Sequence, residues 1–176
     1  FVSPADAERM ARWNPFDQNR FADFFDVEWM FGMPRATANT EAVFVIVLGN
    51  PPYVRHEEIK ALKPLLKDVY QYECYTGTAD LFVYFYERSV KLLKPHGALS
   101  FITSNKWYRA KYGENLRQFM ATHTKLRNII DFGDEAVFTA IAYPTIVIAT
   151  RREVPLNPAP ASDTLRVLNW QQAHPV

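Results

Sequence analysis

Glycine is scarce and never clustered in this chain of 176 residues: Gly32, Gly49, Gly77, Gly97, Gly113 and Gly133 stand singly, so none of the dense glycine loops that cradle phosphates is encoded. Cysteine is scarcer still. Cys74 has no second cysteine to pair with and no Cys/His cluster around it, which excludes an internal disulfide and a structural zinc site. A reducing cytosol fits, and the thiol is expected to be half-buried in a loop. No apolar run is longer than Ala42–Leu48, far short of the roughly 20 residues that span a bilayer, so no membrane partner is expected. An excess of one charge is missing too. The 20 Lys plus Arg against 19 Asp plus Glu leave +1, so any contact with nucleic acid must come from local residues rather than a general field. The chain opens Phe1-Val2-Ser3-Pro4 with no initiating Met and no charged-then-apolar leader, and reads as an excised piece.

What is present is core-forming sequence, 48% hydrophobic. Ser3 can cap a short helix with Pro4 at its first position, running to about Trp13. Residues up to 41 are aromatic-dense without a clean period and form a lead-in segment. Val43–Leu48 is continuously apolar and β-branched, the pattern of a strand buried on both faces of a parallel sheet. Glu57–Lys67 suits a short helix, and Thr78 can cap a long one from Ala79 to Leu93 that Lys94-Pro95-His96-Gly97 stops. Strand Ala98–Thr103, helix Glu114–Thr122, strand Lys125–Asp131 and strand Ile141–Thr150 follow. This alternation implies an α/β protein with a mostly parallel sheet of about four strands, its catalytic half-domain lying over residues 42–152. Residues 153–176 read as a proline-rich linker (Pro155, Pro158, Pro160) and the start of a following domain.

Chemistry concentrates in Gly49-Asn50-Pro51-Pro52-Tyr53, at the tip of the apolar strand. Proline fixes φ and biases its predecessor to extended conformations, so the Asn50 side chain and the Pro51 carbonyl can be held facing one point. Two fixed acceptors at one point suit an exocyclic amino group on a purine. Its lone pair is delocalised into the ring, and accepting both hydrogens favours a pyramidal nitrogen able to attack an electrophilic methyl. Tyr53 supplies a flat face for a base turned out of a duplex. Asn14-Pro15-Phe16-Asp17 has a similar composition but follows a helix, and reads as a turn.

With these residues the chain resembles the gamma-class N6-adenine DNA methyltransferases, especially the methylase modules of type II restriction-modification enzymes. The likeness covers nearly the whole chain. Gly49–Arg55 looks like their motif IV, Thr76–Leu93 like motif V, Gly97–Trp107 like motif VI, and Ala136–Phe138 with Ala142–Ile148 like motif VIII. The resemblance implies the C-terminal half of a Rossmann-like S-adenosylmethionine-dependent methyltransferase sheet, mostly parallel with an antiparallel last strand. It also implies that Asn50, Pro51, Pro52 and Tyr53 form the catalytic loop and that Phe138 stacks on the other face of a flipped adenine in double-stranded DNA. Asp80, Phe82 and Phe85 would lie near the adenosine of S-adenosylmethionine, although their helical spacing equally makes them core.

Against the family pattern, the loop that grips S-adenosylmethionine and the target-recognition domain are missing, so these residues alone are expected to be inactive. Lys106 and Arg109, interleaved with Trp107 and Tyr108, are candidate phosphate contacts beside the catalytic edge, as are Arg55, His56, Lys60, Lys63 and Lys67 unless they form a solvated helix face. His96 reads as surface punctuation. Two other readings remain open: a methyltransferase acting on a protein glutamine or an RNA base, and a half-domain without catalytic function.

Overall fold

The computed structural model describes residues 4–12, 44–133 and 143–170. Phe138 and the Asn14–Asp17 turn lie outside them. The chain divides into two units, Phe1–Glu41 and Ala42–Val176. In the first, helix α1 (Pro4–Arg12) starts on the proline, whose missing N–H costs nothing at that position, and Arg12 pairs with Glu8 one turn back.

The second unit contains β1 (Phe44–Gly49), α2 (Leu81–Leu92), β2 (Leu93–Ser104), α3 (Glu114–His123), β3 (Thr124–Asp131), β4 (Pro144–Arg151) and β5 (Arg166–Asn169). The sheet order is β1-β2-β4-β3-β5. β1 runs parallel to β2 and β5 parallel to β3, while β4 is antiparallel to both of its neighbours, so the other strands all point one way and the sheet is mostly parallel. The expected antiparallel strand is β4. It is not the last one, because Arg166–Asn169, expected to lead away from the sheet, adds a fifth strand against β3. The proline-rich connector also folds back: the Leu156 N–H donates to Thr122 O at 2.9 Å, and Asp163 pairs with Arg152 and Lys125.

Alternation decides the core. Leu99, Phe101 and Thr103 of β2 and Thr145, Val147 and Ala149 of β4 are buried, whereas Ile102, Ile146 and Ile148 on the other face are only half-buried. The covered side meets α2 and α3 through Phe82, Val83, Tyr86, Val90, Leu116, Phe119 and Met120. Each large apolar side chain buried there contributes roughly 1.5–3 kcal/mol over leaving it exposed.

Three local expectations are corrected. β1 is not buried on both faces: it is the edge strand among the described residues, and Val45, Ile46 and Leu48 are 63, 60 and 74% exposed. Glu57–Lys67 is not one helix but a 3-10 turn (Lys60–Leu62) and a π turn (Leu65–Val69), with Pro64, which has no N–H for a helical ladder, between them. Cys74 is fully buried rather than half-buried, and burial together with the neighbouring Glu87 carboxylate pushes its thiol pKa far up. Where α2 passes into β2, His96 takes the left-handed conformation (φ 65°), and Gly97 is needed because a Cβ would stand 3.0 Å from Val45 O of β1.

Candidate functional site

The site begins with Gly49, opposite Phe101 in the parallel register. A Cβ at 49 would lie 2.8 Å from the Phe101 ring, which is itself buried and held edge-on by Tyr86, centroids 5.1 Å apart. Only glycine lets β1 run past that ring, and this delivers Asn50 to the C-terminal tip of the strand. Asn50 is exposed and its side chain has no hydrogen bond among the described residues. Pro51 is buried, Pro52 exposed and Tyr53 half-buried. The Tyr53 hydroxyl donates to Ile102 O on β2 at 3.1 Å, which fixes its ring. Burial pushes its phenol up to about 12, so it stays protonated at neutral pH.

The far end of this loop is tied to α2. The Leu81 N–H donates to Val54 O at 3.0 Å, and the His56 N–H donates to Asp80 Oδ1 at 3.0 Å. Asp80, not Thr78, is the N-cap residue of α2, yet its carboxylate makes no capping bond because it is turned back on the loop. Phe82 is 1% exposed and packs in the core against Tyr86, whereas Phe85 is 40% exposed on the same helix. The structure therefore brings Asp80 to the Asn50–Tyr53 loop, leaves Phe85 at the surface and places Phe82 inside.

Lys63 departs furthest from its expected place. Among the cations after the loop, Arg55, Lys60 and Lys67 are exposed, but Lys63 is 8% exposed. Its Nζ donates to Ala79 O at 2.6 Å, Thr76 O at 3.2 Å and the Tyr84 hydroxyl at 2.9 Å, and sits 5.0 Å from the Tyr84 ring centroid. It cannot meet a phosphate here. Burial lowers its pKa, opposed by the nearby Asp80 carboxylate. A second polar side chain inside is that of Glu87, which accepts hydrogen bonds from the N–H groups of Glu73 and Cys74 and from Lys91 Nζ. Its place was legible, since it shares the apolar stripe of α2 with Val83 and Val90. Nothing in the spacing marked Lys63.

Beside the loop, at the same edge of the sheet, β2 ends in a 3-10 turn (Asn105–Tyr108) whose Lys106 N–H is accepted by Ser104 Oγ at 3.4 Å. The turn and the ends of β3 and β4 enclose a cleft of about 560 Å3 lined by Asn105, Lys106, Arg109, Tyr112, Asp131 and Tyr143 among others. That is within the range of small-molecule sites. Lys106 and Arg109 are exposed on it. The buried Tyr112 hydroxyl has no partner among the described residues, and burial pushes its pKa up to about 12. Sequence reading overlooked Asn105 and Asp131 as site residues; they were visible only as residues at strand ends, where open α/β sheets place their sites. Among the described residues there is no cluster of His, Cys, Asp or Glu able to hold a metal ion, and no helix long and apolar enough to cross a membrane.

Known proteins share this arrangement of motifs. Type II methyltransferase M.PaeR7I of Pseudomonas aeruginosa is 39% identical over 117 residues, 65% of this chain and 20% of that protein. Type II methyltransferase M.XhoI of Xanthomonas vasicola is 33% identical over 132 residues, 74% of this chain and 24% of its own length. The chain thus spans only about a fifth to a quarter of these relatives. A crystal structure from Listeria monocytogenes, assigned to the class I S-adenosylmethionine-dependent methyltransferases, superposes with a TM-score of 0.52 at 20% identity over 77% of this chain and 39% of that one, which shows a shared fold. The model of the Eco57I restriction-modification methylases matches residues 5–138, from α1 through the Asn50 loop and the cleft, and the chain belongs to that family.

Proposed function

We propose that the protein carrying this chain transfers a methyl group from S-adenosylmethionine to the N6 amino group of an adenine turned out of double-stranded DNA, as the modification activity of a restriction-modification system in the cytoplasm. The observation that carries this reading is Asn50: an amide left exposed at a strand tip between Gly49, packed on the Phe101 ring, and the buried Pro51, with Tyr53 bonded to β2 just beyond. Family membership and the Type II methyltransferase names of the relatives support it.

In this mechanism the Asn50 side chain and the Pro51 carbonyl accept the two hydrogens of the adenine amino group, freeing its lone pair. The fixed Tyr53 ring stacks on one face of the base and Phe138 on the other, each stack worth about 1–3 kcal/mol. Lys106 and Arg109 neutralise phosphates beside the flipped nucleotide. When bound, the cofactor would supply an electrophilic methyl on a sulfonium whose neutral thioether is the leaving group, and the proton displaced from the amino nitrogen would pass to water. Asp80 and Phe85 fit a role beside it, because Asp80 Oδ2 has no partner among the described residues and the Phe85 ring is at the surface. Phe82 does not fit, being enclosed in the core. These 176 residues alone are expected to leave DNA unmethylated, since no glycine-rich loop to hold the cofactor lies among them.

The test is product identity. The full-length protein is incubated with a labelled methyl donor and, separately, duplex DNA, RNA and a glutamine peptide, followed by nucleoside and peptide analysis. Label in N6-methyladenine of the DNA is expected. Label in cytosine, RNA or glutamine overturns the adenine assignment.

A further inference from the structure

Asn105 Nδ2 donates to both oxygens of the Asp131 carboxylate, at 3.0 and 3.2 Å. The same carboxylate accepts the Gly133 N–H at 3.1 Å, and the Asn105 backbone N–H donates to Tyr143 O at 2.8 Å. The side-chain pair therefore joins two strand ends, β2 through Asn105 and β3 through Asp131 and Gly133, while the Asn105 backbone separately ties β2 to the entry to β4 through Tyr143. Tyr143 is held in the left-handed conformation (φ 64°), which is unfavourable for a non-glycine residue and persists only where its surroundings impose it. The bond from Asn105 to its carbonyl is such a constraint. A second set of bonds backs the first, with the Tyr108 hydroxyl 2.8 Å from Thr145 Oγ1, which donates to Ile130 O at 2.9 Å.

The pair lies at the wall of the cleft rather than in the apolar core. Asn105 is followed directly by Lys106 on one side of that cleft, and Gly133 and Tyr143 stand on the other. Setting the separation of those walls needs directional bonds, and an amide N–H shared by the two oxygens of a carboxylate that also accepts the Gly133 N–H supplies them.

From this geometry we infer that Asn105 and Asp131 are positioning residues for the target nucleotide. By clamping the ends of β2 and β3 together they set the width of the cleft and the place of the Lys106 and Arg109 cations relative to the flipped base. The inference rests on the methyl-transfer reading above. It requires no contact between the pair and the substrate.

The experiment uses the full-length protein and three variants: Asn105→Asp, Asp131→Asn and the swap carrying both. Asn105→Asp faces one carboxylate with another, and should raise the KM for DNA by about tenfold or more and suppress the fluorescence rise of 2-aminopurine at the target position, leaving the KM for S-adenosylmethionine within about twofold. Asp131→Asn keeps an acceptor for Gly133 and should do less. In the swap, the amide of residue 131 donates to the carboxylate of residue 105 while its oxygen still accepts from Gly133, so DNA KM and base capture should return to within about threefold of the unaltered protein. The inference is overturned if Asn105→Asp leaves DNA KM and fluorescence unchanged, if both substrates' KM values rise together, or if the swap folds no better and captures the base no better than Asn105→Asp. A failed functional reading shows differently, as unaltered protein that forms no N6-methyladenine; a failed pairing shows only among the variants.

Discussion

Asn50 and Asn105 both follow a strand at the same edge of the sheet, yet one amide is left exposed and the other is spent on a carboxylate. Around Asn50 the holding is done by its neighbours: Gly49 passes the Phe101 ring, Tyr53 bonds to β2, and Asp80 and Val54 join the loop to α2. Around Asn105 the residue is itself the tie. The difference teaches how to separate a reacting amide from a structural one when the residue type and the strand-end position are the same. A group meant for a ligand is the unbonded one in a setting where everything else is bonded, because any internal partner would have to be broken before the ligand could bind.

The contrast breaks most directly at Asn50. Replacing it with alanine in the full-length protein should lower the methylation rate by roughly 10²–10³ or more, the usual cost of losing one oriented group in a transition state, with DNA affinity nearly unchanged because phosphate contacts dominate it. Single-turnover methylation and a filter-binding titration separate the two, and a variant retaining half the rate would remove Asn50 from the reaction. Next in size is Lys63, which holds the Thr76–Asp80 turn from behind. Lys63→Met should leave Ala79 O without its buried donor, while Thr76 O keeps the Tyr84 hydroxyl, and cost about 1–3 kcal/mol in urea unfolding; an unchanged midpoint would mean that water satisfies Ala79 O.

Phe138, in the connection between β3 and β4, sharpens the comparison from the other side of the base. Phe138→Ala should weaken capture of an extruded base by about 1–3 kcal/mol, read by 2-aminopurine fluorescence. If capture is unaltered while the thermal midpoint falls, the ring belongs to the core. The smallest effect is expected at Tyr53, where Tyr53→Phe removes one hydrogen bond worth about 1 kcal/mol. The folded protein keeps the Tyr53 proton up to about pH 12 whereas an ordinary phenol loses it at 10.0, so this stability is complete below pH 10 and is lost as the pH rises through about 12. Denaturation midpoints at pH 9 and 11.5 should converge between Tyr53→Phe and the unaltered protein; a constant gap contradicts the assignment.

Elements with strong local grammar were readable in advance. The periodic stripe of α2, the strands flanking Ile102, Ile130 and Val147 and the loop Asn50–Tyr53 each follow from spacing, branching or proline stiffness within about a dozen residues. β5 was not readable, because Arg166–Asn169 is exposed along its length and becomes a strand only by pairing with β3, far back in the sequence. The burial of β1 was misjudged for the same reason: an apolar β-branched run specifies a strand, but which sides are covered depends on its neighbours.

The sequence by itself determined that an exposed amide would stand on a stiff loop after an apolar strand, since proline geometry and β-branching act over neighbouring residues and need no distant partner. Only the tertiary structure decided that Lys63 is buried beneath that loop, that Asp80 grips it rather than capping α2, and that Asn105 reaches Asp131 to join two strand ends. Those outcomes depend on hydrogen bonds between residues 16 to 26 positions apart, and the pairing of distant polar groups is set by the sheet order that brings their strands together.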